Sequence, residues 1–489
     1  MTMKRSCLIL ALIASLQLAG CASDGGLTSH GRMLDPAALK LGHAADAAAA
    51  ANAKGNANAA DWPAPNWWRS FRDPQLDDLI ARAYAGSPTL EQARARIGRA
   101  SAMLSAQRAV GGAYLGADGA VERQRFSNNG LYPAPLAGSV HTSADLALNF
   151  RYEFDFWGLN RNRVKAQLSR VAAEHLEARA IELTLASAVC QSYVDLARTE
   201  QQLVLAQRNV ALREREVALL RARIGEGLDT TVAQKEASAA VPMARADVEA
   251  LRNQATLLRH QLAVLAGEDP AASERIAVPT LRLDSALALP PRLDADLVAH
   301  RPEIAAQRMR VEAASRDVDA AHAEFYPNID LVASGGLDAL DASNLFQAGS
   351  KIFGFGVAVH LPIFDAGRLR AGLAISNADY DAEVALYNKL VLDAFRDVAD
   401  QVSTWRSLDA RQAEHALALR ELQDTVKVAS ARHREGLTNR LVVLTVEDRL
   451  LAQQRADVDL DARRLQTAIQ LYRALGGGID LSAPTNSAS

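Results

Sequence analysis

Apolar and polar residues recur with a helical period along most of the chain, but in two short stretches they alternate strictly. From Leu146 the even positions are Leu146, Leu148, Phe150, Tyr152, Phe154 and Phe156, and the odd ones are Ala147, Asn149, Arg151, Glu153 and Asp155. Far downstream, Phe353, Phe355, Val357, Val359 and Leu361 alternate with Gly354, Gly356, Ala358 and His360. A period of two belongs to strands, predicted at about 144–156 and 352–364, with weaker ones upstream at about 114–126 and 328–338. Residues 158–224 and 367–434 are helical in pattern throughout, rich in Ala, Leu, Glu, Arg and Gln. At 1.5 Å per residue each would reach about 100 Å. Shorter helices are predicted at about 88–110, 230–265, 302–324 and 438–475. Gly225 and Gly227 stop the first long helix, and Gly436 follows the second, so each long helix turns back as a hairpin. Such lengths point to coiled-coil packing, although the apolar spacing is not a clean heptad.

These elements occur twice. Ser87-Pro88-Thr89-Leu90 opens one helix, and Arg301-Pro302-Glu303-Ile304 opens another 214 positions later. Further on the offset becomes 209, and there Gly158 meets Gly367, Glu226-Gly227-Leu228 meets Glu435-Gly436-Leu437, and Gly267 meets Gly476. Landmarks that hold one offset without a gap define two repeats, 62–267 and 302–476, joined by a connection at 268–301 and followed by a tail at 477–489.

The N-terminus sets the environment. Lys4 and Arg5 precede an apolar run from Cys7 to Leu18, and Leu18-Ala19-Gly20-Cys21 forms a small-residue cleavage site. Residues 1–20 are expected to be a secretory signal, and Cys21 the site of lipidation by diacylglycerol and an N-acyl chain. Ala22, where an aspartate would resemble the signal for inner-membrane retention, favours the outer membrane of a Gram-negative bacterium. Residues 21–61, ending in an Ala/Asn/Gly tract, are expected to be a flexible tether. Cys190 is left alone, which excludes a disulfide framework, and a net charge of -3 offers no basic stripe for nucleic acid.

No stretch after residue 20 is apolar for long enough to cross a membrane as a helix, so any crossing requires a β-barrel. Strands apolar on one side and polar or small on the other suit that purpose, although alternation alone also fits a half-buried soluble sheet. Four strands cannot close a barrel, and open edges are not tolerated in lipid. Copies must therefore pool their strands: two would give eight, three would give twelve.

Three pieces carry a family resemblance: residues 67–76 (Trp-Trp-Arg-Ser-Phe-Arg-Asp-Pro-Gln-Leu); the Arg301-Pro302-Glu303-Ile304 run with Ala323-Glu324-Phe325-Tyr326-Pro327; and the matched pair of residues 152–158 and 361–367. In this order, with the repeat, the chain resembles the outer-membrane efflux proteins, the TolC-like outer-membrane factors, and more narrowly their lipoprotein branch. The resemblance implies an α+β membrane protein: a homotrimer whose twelve-stranded β-barrel continues into a long periplasmic α-helical barrel. It implies a periplasmic adaptor (membrane-fusion protein) docked on the helical tip and an inner-membrane pump beyond it, with this chain the passive, gated exit duct. The lipid-facing residues would be Leu146, Leu148, Phe150, Tyr152 and Phe154 with Phe353, Phe355, Val357, Val359 and Leu361. The docking tip would comprise Glu226, Gly227, Leu228 and Asp229 with Glu435, Gly436, Leu437 and Thr438. The best-known members carry two aspartates just past the second tip, where this chain has Val442 and Thr445. Either Arg440, Glu447 or Asp424 supplies the gate, or the closed state rests on apolar and helix-packing contacts. The cargo expected is drugs or small organic, including aromatic, compounds.

Catalysis finds no support. The ten histidines are scattered without metal-ligand spacing, the glycine pairs lead into a strand rather than open a helix, and no cofactor or metal is expected. The rival functional reading is a non-conducting envelope lipoprotein whose hairpins serve as a structural or adhesive coiled-coil spacer.

Overall fold

The structure is a computed structural model and describes residues 24–39, 66–284 and 300–478. The signal at 1–20, Cys21, positions 40–61 of the tether, 285–299 of the connection and 479–489 of the tail lie outside the described residues. In chain order come α1 (Pro74–Gly86), α2 (Pro88–Val110), β1 (Tyr114–Arg125), β2 (Val140–Phe154), α3 (Leu159–Gly225) and α4 (Thr231–Leu265). After the connection come α5 (Pro302–Ala323), β3 (Asn328–Ala339), β4 (Lys351–His360), α6 (Arg368–Arg434) and α7 (Arg440–Ala474). The two repeats agree in detail: α3 and α6 are each 67 residues long, and α4 and α7 each 35. No described helix is apolar enough over its length to cross a membrane.

The chain divides into two compact units. One holds residues up to 33, 96–174 and 307–387, which include the sheet, an antiparallel meander in the order β1-β2-β3-β4. Beneath it Phe325, Leu369 and Leu373 form a small core, against which Leu27 packs. The other unit, 34–95, 175–306 and 388–489, holds the main core. There Trp67, Trp68 and Phe71, on a 3-10 turn, join Leu76, Leu79, Ile80 and Ala83 of α1 and Val189, Cys190 and Tyr193 of α3. Trp67 stacks on Tyr472 with centroids 5.2 Å apart.

Several expectations need correction. Helix α1 was not among the predicted helices; Asp73 caps it and Pro74 opens it, while its apolar spacing buries one face. Its cap does more: Asp73 Oδ2 also accepts from the Tyr193 hydroxyl and from Thr280, so part of the connection is tied to the core. Residues 27–34 of the expected flexible tether instead pack against α6. The His30 and Gly31 N–H groups donate to the Asp381 carboxylate at 2.9 and 2.6 Å, and the Leu34 N–H donates to Asn388 Oδ1 at 2.7 Å. Contact is close enough that a Cβ on Gly31 would sit 2.9 Å from Asp381 Oδ1. Gly225 remains inside α3, and the left-handed residue that ends the helix is Gly227, at φ 70°.

Candidate membrane-facing sheet and hairpin tips

Register fixes the faces of the sheet, because residues directly paired across strands share a side. Phe150 pairs with Leu115 and with Ala333, and Ala333 with Phe355. Leu148 pairs with Ala117 and with Gly335, which meets Phe353. Tyr152, Leu331 and Val357 form the next row, and Phe154, Ile329 and Val359 the last. Leu146 and Leu337 head the face, which ends at Lys351. Among the described residues much of this surface is uncovered: Phe353 and Phe355 are 86% and 85% exposed. On the opposite side Asn149 Nδ2 donates to Asp118 at 2.8 Å, and Arg151 pairs with Asp330 at 2.8 Å. One side is therefore continuously apolar and the other wet, charged and internally paired.

Leu361 does not share that face. Strand β4 stops at His360, because Pro362 has no N–H to donate and restricts the residue before it. Likewise β2 stops at Phe154 rather than 156. Asp155 leaves the strand to cap α3, accepting from the N–H groups of Asn160 and Arg161 at 3.1 and 2.8 Å. Asp365 serves α6 in the same way through Gly367 and Leu369, and those backbone bonds hold its carboxyl below the usual range. Below the sheet, Trp157 stacks on Tyr326 at 4.6 Å and donates to the Pro327 carbonyl.

Both tips are built alike. The Leu228 N–H donates to the Arg223 carbonyl and the Gly227 N–H to that of Ile224; Leu437 to Arg432 and Gly436 to His433 repeat the arrangement. This is a Schellman closure, which requires the positive φ of Gly227 and Gly436 (70° and 71°). Thr230 and Asn439 then cap the returning helices. Leu228 and Leu437 project, 64% and 67% exposed, beside Glu226 and Glu435. Asp229 is held by the Thr230 N–H and the Arg223 guanidinium, which lower its pKa, so it is a brace rather than a free charge. The Thr438 carbonyl faces His433 Nδ1 at 3.1 Å.

The gate candidates separate. Glu447 is engaged by Arg215 at 3.1 Å and by Arg440 at 3.7 Å. Asp424 is an exposed partner of Lys427. The Thr445 hydroxyl donates back to the Leu441 carbonyl, and Val442 is 43% exposed. Sequence reasoning did not find Arg213, which binds Asp448 at 2.5 Å and, with Arg215–Glu447, ties α3 to α7. It also did not find Asp461, whose carboxyl is pushed up to about 6 by burial and by neighbouring Asp457. Both depend on pairings more than two hundred residues apart or on local burial, neither of which leaves a mark in one sequence.

The outer membrane efflux protein family matches over residues 79–268 and 295–477. The multidrug resistance outer membrane protein MdtP of Shigella flexneri is 34% identical over 431 residues, covering 85% of this chain and 87% of that one. The fusaric acid resistance protein FusA of Burkholderia cepacia is 36% identical over 376 residues, covering 76% of this chain and 69% of that one. The crystal structure of the outer membrane protein VceC from Vibrio cholerae superposes with a TM-score of 0.79 at 32% identity, covering 86% of this chain and 100% of that one.

Proposed function

Because this chain belongs to the outer membrane efflux protein family, we propose that it is the passive, gated exit duct of a tripartite efflux system, assembled as a homotrimer and coupled through a periplasmic adaptor to an inner-membrane pump. The observation that carries this reading is the sheet: four strands, one side apolar and uncovered, the other polar and paired, with both edge strands open. Three copies close twelve strands and remove every edge from lipid. The polar side then lines the water-filled lumen.

Lipidation at Cys21 fits the same placement. Asp24 lies 3.9 Å from His322 near the end of α5, just before β3 begins. Three residues span at most about 11 Å, which keeps a lipid on Cys21 within reach of the start of β3. The projecting Leu228 and Leu437 with Glu226 and Glu435 are the surface offered to the adaptor. Closure rests on the Arg213–Asp448 and Arg215–Glu447 ties, with Arg440 sharing Glu447. Relatives named for multidrug and fusaric acid resistance support drugs and small organic, including aromatic, compounds as cargo.

The test is photocrosslinking from the tip. A photoreactive residue replaces Thr438, cells are irradiated, and the captured protein is identified by mass spectrometry, alongside conductance of the purified protein in planar bilayers. Capture of an adaptor by a conducting trimer is expected. A folded, heat-resistant assembly that neither conducts nor captures an adaptor would refute the duct.

A further inference from the structure

The first turns of the two long helices carry cations where helix physics disfavours them. Neither α3 nor α6 has an acidic residue in its first turn; α3 instead presents Arg161 there, followed by Arg163 and Lys165 in its second turn. The positive end of a helix macrodipole repels such charges, and the Asp155 carboxylate that caps this end, 2.8 Å from the Arg161 N–H, offsets part of that repulsion. Arg163 is accounted for by Glu324 at 2.5 Å. Arg161 and Lys165 are exposed, lie four residues apart on one side of α3, and have no ion-pair partner among the described residues. The backbone N–H groups at this helix start are already bonded to Asp155, so any anion here would be met by side chains.

Their surroundings identify the anion. The Arg161 guanidinium lies over the Gly158 backbone, where an added Cβ would come within 2.8 Å of it. Trp157 and Phe156, which immediately precede Gly158, are 49% and 62% exposed. Phe156 touches Phe154 at 5.7 Å and so prolongs the apolar side of the sheet below its last paired row. Helix α3 grows out of β2, an inner strand, so its start lies away from both open edges, where copies would join. Aromatic rings at the end of an apolar band sit at the headgroup level of a bilayer. The geometry points to Arg161 and Lys165 as a binding site for the phosphate of an anionic phospholipid in the leaflet facing the helices, with Trp157 and Phe156 against its glycerol and upper acyl chain. This inference rests on the membrane placement of the sheet.

Trp157 supplies the readout. The full-length trimer is reconstituted with brominated phosphatidylglycerol or brominated phosphatidylcholine, and the Trp157 signal is obtained by difference from Trp157→Phe. Wild type should prefer phosphatidylglycerol by about 25-fold, at about fivefold for each of the two cations near the surface. High salt should weaken the preference, and the pair Arg161→Gln and Lys165→Gln should abolish it while both lipids still quench. Removing cations from a helix start relieves the dipole, so this variant is expected to fold. Equal quenching by both lipids in wild type, or a preference unchanged in the variant, would overturn the headgroup site and leave the membrane placement intact. No quenching by either lipid would remove the placement itself, and the site with it.

Discussion

Replacing Phe150 by arginine puts a charge on the side of β2 assigned to lipid, whereas the same replacement at the neighbouring Asn149 puts it on the other side. Phe150 stands four residues from Phe154, the last paired position of β2. With about 3.3 Å per residue and a tilt near 40°, that is about 10 Å above the end of the strand, close to the middle of an apolar band about 25 Å tall. Its paired neighbours Leu115 and Ala333 offer no counter-charge. An arginine at such depth costs about 2–4 kcal/mol, hence roughly 6–12 kcal/mol for three copies in one barrel. Asn149 already donates to Asp118 at 2.8 Å, and a guanidinium there keeps that partner and gains its charge. Asn149→Arg should therefore stay within about 0.5 kcal/mol of wild type. The assay is the fraction of heat-resistant trimer recovered from outer membranes on semi-native gels, followed by urea titration of what assembles. Phe150→Arg should lose most of its trimer and Asn149→Arg almost none. Equal losses would refute the assigned faces, and the reverse order would invert them.

Two further outcomes follow from single residues. The fold favours protonated Asp461, whose pKa is raised from 3.8 to about 6, so its contribution is complete below about pH 4 and is lost as pH rises through 6. Asp461→Asn should thus gain about 1 kcal/mol at pH 7.5, allowing for solvent screening of a half-exposed group, and nothing at pH 4; equal melting-temperature shifts at both pH values would contradict this. Gly267 sits at φ 76° with the Gly86 carbonyl oxygen 2.2 Å from where a Cβ would stand. Gly267→Ala should cost at least about 1 kcal/mol in urea unfolding, and a neutral result would show that the α1–α2 junction yields freely.

The apolar and polar sides of the sheet were legible because a strand with unlike sides must alternate, and the internal repeat was legible because glycines at positive φ cannot be replaced cheaply. Gly227 with Gly436 and Gly267 with Gly476 mark both repeats at one offset. Element ends were less so. Alternation continues through Leu361 and Ile363 in sequence, but Pro362 removes the hydrogen bond that would extend β4. Helix α1 carries an Asp73-Pro74 start and a clear apolar face, yet thirteen residues are easily overlooked beside helices of 67. The strap formed by residues 27–34 could not have been read at all. Its anchor, Asp381, is 350 positions from Gly31, and the groups it binds are backbone N–H that every residue type shares.

The matching lengths of the two hairpins bear on how such a chain can change partners. In a trimer, one gene specifies six tips of two alternating kinds. On the docking proposed above, a partner that presents the same contact six times would read in common the triplet both kinds share, Glu-Gly-Leu at 226–228 and at 435–437. Past that triplet Asp229 stands against Thr438, and there the two kinds are free to diverge. A mutation in either tip therefore alters three of six contacts and leaves three untouched. The assembly can try a new partner at half occupancy without abandoning the old one, a graded route that a duct with six identical tips would not have.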